Sequence, residues 1–225
     1  MNKRYFVTGI GTGAGKTLVS ALLCEYLKAD YFKPLQTGYP PDRDSEWVKN
    51  MVNYPIRIHP ENYLLQLPAS PHLAAKRENI EINIQHIQLP STSNTLIIEG
   101  AGGLLVPLNK THYIADLIRH LNAECILVIN NYLGCINHSL LSLYYIEKEK
   151  IPLKGVVLNG DFEQEVKESI IQNISEKLVI SHIPYVKQLD KSMFHQYIAI
   201  YRKFKGCIMN YQKQTVNTSG ILSRI

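Results

Sequence analysis

Short apolar runs alternate with amphipathic segments along most of the chain. The apolar runs have the length of buried strands, and they lie at Tyr5–Thr8, Tyr31–Leu35, Leu96–Glu99, Cys125–Asn130, Gly155–Asn159 and Val179–Ile183. The segments between them carry apolar residues at helical spacing, and they predict helices at Lys16–Leu27, Ser45–Val52, Tyr113–Leu121, Asn137–Lys148, Gln164–Leu178 and Met193–Phe204. Buried strands that alternate with helices are typical of an α/β fold with a doubly wound, mainly parallel sheet.

The chain is predicted to form a single domain. Its 225 residues, 45% of them hydrophobic, suffice for one sizeable core and do not require a second. No repeat and no low-complexity linker interrupts the pattern. The domain is expected to cover residues 1–211, and the polar segment 212–225 is expected to form a C-terminal tail.

Charge and composition exclude several classes of function. The formal charge is +5, but the basic residues are scattered, which argues against nucleic-acid binding. No apolar segment reaches the roughly 18 to 20 residues that span a membrane, and the N-terminus lacks the apolar run of a signal peptide. The four cysteines (Cys24, Cys125, Cys135 and Cys207) have neither metal-ligand spacing nor a disulfide pattern. We therefore expect a reducing, cytoplasmic location.

The clearest chemical motif joins the first strand to the first helix. It spans Gly9–Thr17 and reads Gly-Ile-Gly-Thr-Gly-Ala-Gly-Lys-Thr. Glycines let backbone amides approach phosphate oxygens, and the helix N-terminus attracts their negative charge. Lys16 can reach the β- and γ-phosphates of a nucleotide, and the Thr17 hydroxyl can bind Mg²⁺. The order of strand, glycines, Lys-Thr and helix predicts a fold of the P-loop NTPase type, although this loop is one residue longer than the usual motif.

Charged side chains follow two of the other predicted strands. Lys33 lies near the end of the second strand, and Glu99 closes the third, directly before Gly100–Gly103. The carboxyl ends of parallel strands meet at one edge of a sheet, so both side chains are expected near the phosphates. Glu99 has the position of an acid that holds Mg²⁺, and Lys33 can offset charge on transferring oxygens. Asp44 is a further metal candidate, but it could instead cap the helix that follows.

A fourth segment, Leu133–Ser139, follows the strand at Cys125–Asn130 and opens a helix. The free backbone amides at a helix start form an anion site that would suit a carboxylate. His138 invites a catalytic role, but a histidine at a helix start is more often structural or exposed. Cys135 is expected only to line the site, because phosphoryl chemistry needs no thiol.

Five motifs together resemble those of the dethiobiotin synthetase family. They occur in the family's order at Thr8–Thr17, Lys33–Gly38, Ser70–His72, Glu99–Gly103 and Leu133–His138. Each motif alone is moderately specific, but five in the family's order are very specific. The resemblance extends from Arg4 to roughly Tyr185.

The resemblance implies an ATP- and Mg²⁺-dependent cyclo-ligase of biotin biosynthesis. Members of the family convert 7,8-diaminopelargonate, CO₂ and ATP into dethiobiotin, ADP and phosphate. A substrate amine forms a carbamate with CO₂, and a carbamate oxygen attacks the γ-phosphorus. The second amine then closes the ring on this carbamic-phosphoric anhydride and expels phosphate. The implied assembly is a homodimer with shared active sites.

The resemblance also implies roles for individual residues. Lys33, Lys16 and Thr12 would be catalytic and would stabilise the transferring charge, and Thr37 would bind the diamine end of the substrate. The carboxylate end of the substrate would bind to the neighbouring subunit, at Gly134, Cys135, Ile136 and Asn137.

Metal and nucleotide contacts follow from the same resemblance. Thr17, Asp44 and Glu99 would hold Mg²⁺. The implied ATP contacts are Gly13, Ala14, Gly15, Lys16, Thr17, Leu18, Asp44, Glu99, Gly100, Ala101, Gly102, Asn159, Gly160 and Pro184. Among these, Asn159 resembles the asparagine that recognises adenine, and Ile183-Pro184-Tyr185 resembles the other wall of the adenine pocket.

Two features depart from the family pattern. Gly11 and Gly13 stand where relatives carry acidic side chains, so any help from those carboxylates is absent, and the loop is expected to be more flexible. The segment after Asp190 matches no family pattern.

Three other functions are compatible with parts of this pattern. A P-loop switch ATPase, like the plasmid-partitioning and nitrogenase iron proteins, would share the fold, but such proteins typically carry Lys-Gly-Gly where this chain has Gly9-Ile10-Gly11. A non-catalytic nucleotide-binding module would leave Lys33, Thr37 and Glu99 without a role. A dinucleotide-binding loop is disfavoured because Lys16 occupies the helix start, where that motif needs close packing.

Overall fold

The computed structural model describes residues 2–175, 178–185 and 189–203. The strands in these ranges are β1 (Arg4–Gly9), β2 (Asp30–Phe32), β3 (Leu35–Gln36), β4 (Ile58–His59), β5 (Tyr63–Leu64), β6 (Leu96–Gly103), β7 (Glu124–Asn130), β8 (Leu153–Asn159) and β9 (Val179–Ile183). The helices are α1 (Lys16–Leu27), α2 (Asp44–Met51), α3 (Pro71–Arg77), α4 (Ile114–His120), α5 (Cys135–Lys148), α6 (Gln164–Ile171) and α7 (Lys191–Lys203), with a 3₁₀ helix at Ile84–His86.

Seven of these strands form one sheet in the order β4-β2-β6-β1-β7-β8-β9. Every pairing within it is parallel. The two remaining strands, β3 and β5, form a small parallel sheet beside it. The predicted doubly wound α/β fold is therefore confirmed.

Helices cover both faces of the large sheet, and β1 shows how the sequence achieves this. Phe6 points into the core under α3 to α6, whereas its neighbours Tyr5 and Val7 point into the core under α1, α2 and α7. Successive side chains of a strand point to opposite faces, so a strand covered on both sides must be apolar throughout. Full burial of one such side chain contributes about 1.5–3 kcal/mol.

The predicted second strand, Tyr31–Leu35, is wrong in its second half. The strand ends at Phe32, and Leu35–Gln36 belong to the small sheet. The cause is Pro34, because β2 pairs with a neighbour on each side and proline has no amide hydrogen for such a ladder.

Helix ends were the other source of error. Helix α5 begins two residues before the predicted Asn137, and α6 ends at Ile171 rather than at Leu178. After Ile171 the amides of Asn173 and Ile174 bond to carbonyls three residues back, so the chain tightens into turns. Helix α3 and the two short strands β4 and β5 were not predicted.

Three cysteines in the described residues, Cys24, Cys125 and Cys135, are buried and free. None of the helices in the described ranges has both the length and the apolarity needed to cross a membrane. Cys207 and the predicted tail, 212–225, lie outside the described residues.

A buried polar network anchors the start of β2. The Asp30 carboxylate accepts hydrogen bonds from Thr92 Oγ1 at 2.6 Å and Asn94 Nδ2 at 2.9 Å, and His59 Nε2 lies 3.1 Å from it. Burial alone would raise the pKa of Asp30, but the hydrogen bonds from Asn94, Thr92 and His59 together lower it below its ordinary value. The network thus holds β2 and β4 to the loop that precedes β6.

We expect Asp30→Ala to lower the free energy of unfolding by about 2–4 kcal/mol near neutral pH, because the hydrogen bonds from Thr92 and Asn94 are lost and the buried His59 loses its partner. The pKa of Asp30 is lowered in the folded state. Its stabilisation is therefore complete above the ordinary aspartate pKa and disappears as the pH falls through the lowered value. Urea unfolding of both proteins along a pH series measures this.

The exposed residue Asp42 provides the matched control. Asp42→Ala should change the free energy of unfolding by less than about 0.5 kcal/mol. A loss in Asp30→Ala no larger than that of the control, or one independent of pH, would contradict the role given to the network.

Candidate active site

The register of the central strands brings the predicted charged residues together. Val7 of β1 pairs with Glu99 of β6, and Phe32 of β2 pairs with Ile98. Lys33 is the next residue after Phe32, so it comes to lie beside Glu99. Three strands therefore deliver the loop after β1, Lys33 and Glu99 to one edge of the sheet, as predicted.

These residues line a cavity of about 620 Å³, here called the P-loop cavity. Its lining is Thr12, Gly13, Gly15, Lys16, Thr17, Lys33, Leu35, Gln36, Thr37, Asp44, Pro68, Ala69, Ser70, Pro71, Glu99, Gly100, Ala101, Gly102 and Val106. The predicted catalytic residues, the predicted metal ligands and Thr37 are all among them. The Ser-Pro-His motif contributes Ser70 and Pro71.

Glu99 is the centre of the polar contacts in this cavity. Its Oε1 accepts hydrogen bonds from Thr17 Oγ1 at 2.8 Å and from Lys33 Nζ at 3.0 Å. Its Oε2 accepts one from the Tyr31 hydroxyl at 2.8 Å. Lys33 Nζ also lies 2.5 Å from Asp44 Oδ2, so one ammonium bridges two carboxylates. Glu99 is 1% exposed and Lys33 4%, so these charges have little water to screen them.

The two lysines of the cavity have opposite pKa shifts. Burial alone would lower the pKa of Lys33, but the carboxylates of Glu99 and Asp44 raise it above its ordinary value. Burial lowers the pKa of Lys16, and the charge of Lys33 adds to this, although Glu99 and Asp44 oppose it. Lys16 has no carboxylate partner within hydrogen-bond distance among the described contacts, and its Nζ donates to the Gly11 carbonyl at 3.2 Å. A bound anion would therefore stabilise the charged form of Lys16 more than that of Lys33.

Tyr31 is also shifted. Burial raises the pKa of Tyr31 well above its ordinary value, and the charge of Glu99 raises it further. Its phenol therefore stays protonated and donates to Glu99.

The donor set suits Mg²⁺ that also binds phosphate. Glu99, Asp44 and Thr17 offer two carboxylates and a hydroxyl, all hard oxygen ligands, and Lys33 already bridges the two carboxylates. No cluster of three or more His, Cys, Asp or Glu side chains suited to a metal occurs in the described part of the chain. The set of Glu99, Asp44 and Thr17 therefore fits Mg²⁺ that is held by one or two carboxylates together with substrate oxygens, rather than by protein ligands alone.

Asp44 does not cap helix α2. The capping position is Arg43, and Asp44 is the first residue of the helix. Its backbone N–H donates to the Gln36 side chain at 3.2 Å, and its carboxylate faces Lys33 instead. The capping alternative for Asp44 was therefore wrong.

A second cavity of about 430 Å³, here called the Asn159 cavity, adjoins the first. Its lining includes the remaining predicted nucleotide residues, Leu18, Asn159, Gly160 and Pro184, and Gly13 lines both cavities. Asn159 Nδ2 donates to the Ala14 carbonyl at 2.9 Å, which ties β8 to the loop. Ala14 itself is buried and lines neither cavity.

The predicted carboxylate-binding segment lies apart from both cavities. Gly134 has a φ of 102° and precedes α5. Gly134 and Asn137 are exposed, Cys135 is buried, and Ile136 packs against the core. None of these four residues lines the P-loop cavity of the same chain.

An apolar groove of about 420 Å³, here called the α5 groove, lies between these regions. It is lined by Ile10, Gly11, Thr12, Gly103, Leu104, Leu105, Val106, Pro107, His138, Leu141, Ser142 and Tyr145. Leu105 and Leu141 are each more than half exposed, and Leu133, just before Gly134, is fully exposed. Such a concentration of exposed apolar side chains is typical of an interface.

Sequence reasoning missed three contributors to the P-loop cavity and its surroundings. Tyr31 lies in an apolar run, so it was indistinguishable from a core residue. The Gln36 side chain accepts a hydrogen bond from the Asp44 N–H at the start of α2, and Pro68 is among the residues that line the cavity. Proline, serine and proline at 68, 70 and 71 indicate a turn, but nothing in that pattern indicates which cavity it faces.

Comparison with known proteins decides the family. The family model described as an AAA domain matches residues 3–193. A protein of Cytophaga hutchinsonii named ATP-dependent dethiobiotin synthetase BioD is 45% identical over 197 residues, which cover 87% of this chain and 95% of that protein. Proteins of the same name from Christiangramia forsetii and Brucella ovis are 42% and 41% identical, over 90% and 88% of this chain and 98% and 94% of their own lengths. The chain belongs to the dethiobiotin synthetase family.

Solved structures share the fold at much lower identity. A chain of the MinC:MinD cell division protein complex of Aquifex aeolicus has a TM-score of 0.52 at 16% identity, covering 99% of each chain. A ParA family ATPase of Chlorobium tepidum has a TM-score of 0.50 at 15% identity, covering 92% of this chain and 95% of that one. At such identities the likeness shows the fold alone, so it does not favour a switch ATPase over the family.

Gly15 is the glycine of the loop whose replacement should be most damaging. Its φ is +91°, and a Cβ there would lie 2.1 Å from Asn159 Nδ2. We expect Gly15→Ala to weaken ATP binding about 10- to 100-fold, because strain of 1–3 kcal/mol falls on the loop and displaces Asn159. Isothermal titration calorimetry measures this.

Gly11→Ala is the matched control in the same loop. A Cβ at Gly11 meets no atom within 4 Å, and ATP affinity should stay within a few-fold of wild type. Equal losses in both variants would mean that any change in the loop is damaging, and the contact with Asn159 would lose its significance.

Proposed function

We propose that the P-loop cavity is the active site of an ATP-dependent dethiobiotin synthetase. The reaction joins 7,8-diaminopelargonate, CO₂ and ATP to give dethiobiotin, ADP and phosphate. The main support for the proposal is the linked set of Lys33, Glu99, Asp44 and Thr17 beside the P-loop, in which Lys33 and Glu99 are buried. A switch ATPase or a simple nucleotide carrier would have no use for a buried lysine held at this point.

ATP would span the two adjoining cavities. The backbone amides of the loop at Gly13–Thr17 and the start of α1 suit the phosphates, and Lys16 adds the positive charge. The base would occupy the Asn159 cavity. Asn159 Nδ2 is bonded to Ala14, which leaves Oδ1 to accept from the exocyclic amine of adenine.

Mg²⁺ would be held by Thr17, Asp44 and Glu99. When bound with ATP it neutralises charge on the β- and γ-phosphate oxygens. The fit rests on the oxygen donors of these residues and on the single ammonium that already bridges two of them.

Lys33 would stabilise the negative charge of the carbamate and of the transferring phosphoryl group. The carbamate made from a substrate amine and CO₂ is an anion. As one of its oxygens attacks the γ-phosphorus, the bond to ADP breaks and negative charge is spread over the oxygens of the transferring phosphoryl group. A preorganised cation in a site with little water stabilises both. The second amine then attacks the carbonyl carbon, the bond to the phosphate oxygen breaks, and the ring closes with loss of a proton.

The substrate would enter the P-loop cavity with its diamine end. Thr37 lines the cavity near Gln36 and offers a hydroxyl for an amine, and Ser70 lies on the same lining. Thr12 lines both the P-loop cavity and the α5 groove, so an extended substrate could pass from one to the other.

We also propose a homodimer with shared active sites. The carboxylate of the substrate lies several methylenes from its amines, so it needs an anion site away from the P-loop. The helix N-terminus at the start of α5 suits it, although the Cys135 N–H already donates to the Tyr132 carbonyl, and Gly134–Asn137 do not line the cavity of the same chain. Exposed Leu105, Leu133 and Leu141 supply apolar surface for an interface that brings a partner's segment to the cavity.

The function is tested by product formation. The purified protein should release phosphate from ATP only when diaminopelargonate and bicarbonate are both present, and mass spectrometry should identify dethiobiotin. ATP hydrolysis that is indifferent to both substrates would overturn the proposal.

Lys33→Gln separates chemistry from binding in the same assay. We expect kcat to fall roughly 10²- to 10³-fold, because one charge contact to the transition state is lost, while the Kd for ATP changes little. A variant with normal kcat and weaker ATP binding would make Lys33 a nucleotide contact only.

Subunit mixing tests the shared site. Lys33→Gln and Gly134→Trp should each be inactive, but a mixed dimer contains one site with neither lesion. After equal mixing and subunit exchange, about one quarter of the wild-type activity should return.

Each variant alone, taken through the same exchange, is the control. If fluorescence transfer between labelled subunits confirms exchange and no activity returns, the segment serves its own chain. A fully active species that sediments as a monomer would likewise end the shared-site proposal.

A further inference from the structure

Tyr31 contacts Glu99 from within the sheet rather than from the cavity. It is completely buried, it does not line the P-loop cavity, and its hydroxyl donates to Glu99 Oε2 at 2.8 Å. The other oxygen, Oε1, accepts from Thr17 and Lys33 on the cavity side. The two oxygens of one carboxylate therefore have different partners.

The strand register explains how a tyrosine reaches this position. Tyr31 pairs with Ile97, two residues before Glu99 on β6. Residues two apart on a strand share a face, so Tyr31, Ile97 and Glu99 lie on the same face of the sheet. The length of the tyrosine ring then carries its hydroxyl along the strand direction to the carboxylate.

We propose that Tyr31 is a positioning residue that fixes the orientation of Glu99 toward the bound cation. The inference rests on the proposed function, in which Glu99 holds Mg²⁺. Tyr31 itself touches neither substrate nor cation. It acts by occupying Oε2, so that Oε1 alone is presented to Thr17, Lys33 and the cavity.

The hydrogen bond from Tyr31 to Glu99 matters energetically because Glu99 is buried. A carboxylate oxygen that is buried without a donor is costly, and among the hydrogen bonds of the described residues Tyr31 is the only donor to Oε2. Without it, Glu99 gains by turning Oε2 toward the cavity, which disturbs the contacts of Oε1. Partners that orient metal ligands in this way typically change metal affinity 10- to 100-fold when they are removed.

The test is the Mg²⁺ affinity of Tyr31→Phe, measured by calorimetry in the presence of ADP. We expect the Kd for Mg²⁺ to rise about 10- to 100-fold. At saturating Mg²⁺, kcat should return to within a few-fold of wild type, and the KM for diaminopelargonate should not change.

Tyr54→Phe is the matched control. The Tyr54 hydroxyl donates to the Ala29 carbonyl and its ring packs on the same core as Tyr31, but it does not contact Glu99. The variant should lose stability because a half-buried hydrogen bond is removed, without any change in Mg²⁺ affinity. A folded Tyr31→Phe protein with the Mg²⁺ affinity of wild type would overturn the proposal.

Two further variants show whether Tyr31 acts through Glu99. In a double-mutant cycle with Glu99→Gln, the effects on Mg²⁺ affinity should not add, whereas additive effects would contradict the proposal. If Tyr31→Phe fails to fold, 4-aminophenylalanine at position 31 keeps a weaker donor, and Mg²⁺ affinity should fall several-fold. Wild-type affinity in that variant would count against the role.

The outcomes also separate this proposal from the proposed function. Mg²⁺ binding with ADP needs no turnover, so it can be measured even if no dethiobiotin forms. If Glu99→Gln leaves Mg²⁺ affinity unchanged, the metal site fails and the role of Tyr31 falls with it. If Glu99→Gln weakens binding and Tyr31→Phe does not, only the role of Tyr31 is overturned.

Discussion

A buried negative charge within β6 determines the layout of the site. The predicted strand ends at Glu99, but the observed strand continues to Gly103. An isolated carboxylate in a protein interior is very costly, so Glu99 requires partners for both oxygens. Three elements supply them: α1 through Thr17, the turn after β2 through Lys33, and β2 itself through Tyr31. The Glu99 carboxylate thus connects these elements by hydrogen bonds, and it is also a candidate metal ligand. Because the same residue makes contacts within the sheet and in the cavity, we expect a substitution at Glu99 to affect both the stability of the fold and the proposed chemistry.

The two lysines divide the electrostatic work between them. Lys33 is already paired with two carboxylates, so its charge is fixed in place before any substrate arrives. Within the part of the chain that the structure describes, Lys16 donates to the Gly11 carbonyl and to no carboxylate, and burial disfavours its charged form. A bound phosphate would therefore stabilise the charge of Lys16 much more than that of Lys33. In the proposed function, Lys16 would therefore favour nucleotide binding, whereas Lys33 would favour the subsequent chemistry.

Much of the site could be predicted because charged residues at the ends of apolar strands are conspicuous. Lys33, Glu99 and the glycine-rich loop stood out for this reason, and strand register brought them together as expected. Thr37 and Asn159 were found through the family resemblance, since neither is chemically unusual where it stands. Tyr31 could not be found, because a tyrosine in an apolar run is equally suited to the core. The partner of Asp44 depends on the course of the chain after Pro34, which no local pattern determines.

Because β2 ends before Pro34, the residues that carry the charged groups and the residues of the wall at Leu35–Thr37 belong to two different sheets. The large sheet carries Glu99 and the P-loop, whereas the facing wall at Leu35–Thr37 is braced by a small sheet of its own through Tyr63–Leu64. A substitution at Thr37 alters the shape of the cavity without changing a strand that carries Glu99, whereas Gln36 also accepts a hydrogen bond from the Asp44 N–H. In the proposed active site, substrate acceptance could therefore change at Thr37 with little effect on the charged groups. The same division makes Thr37 and residues 68–71 the natural place to engineer acceptance of altered diamines.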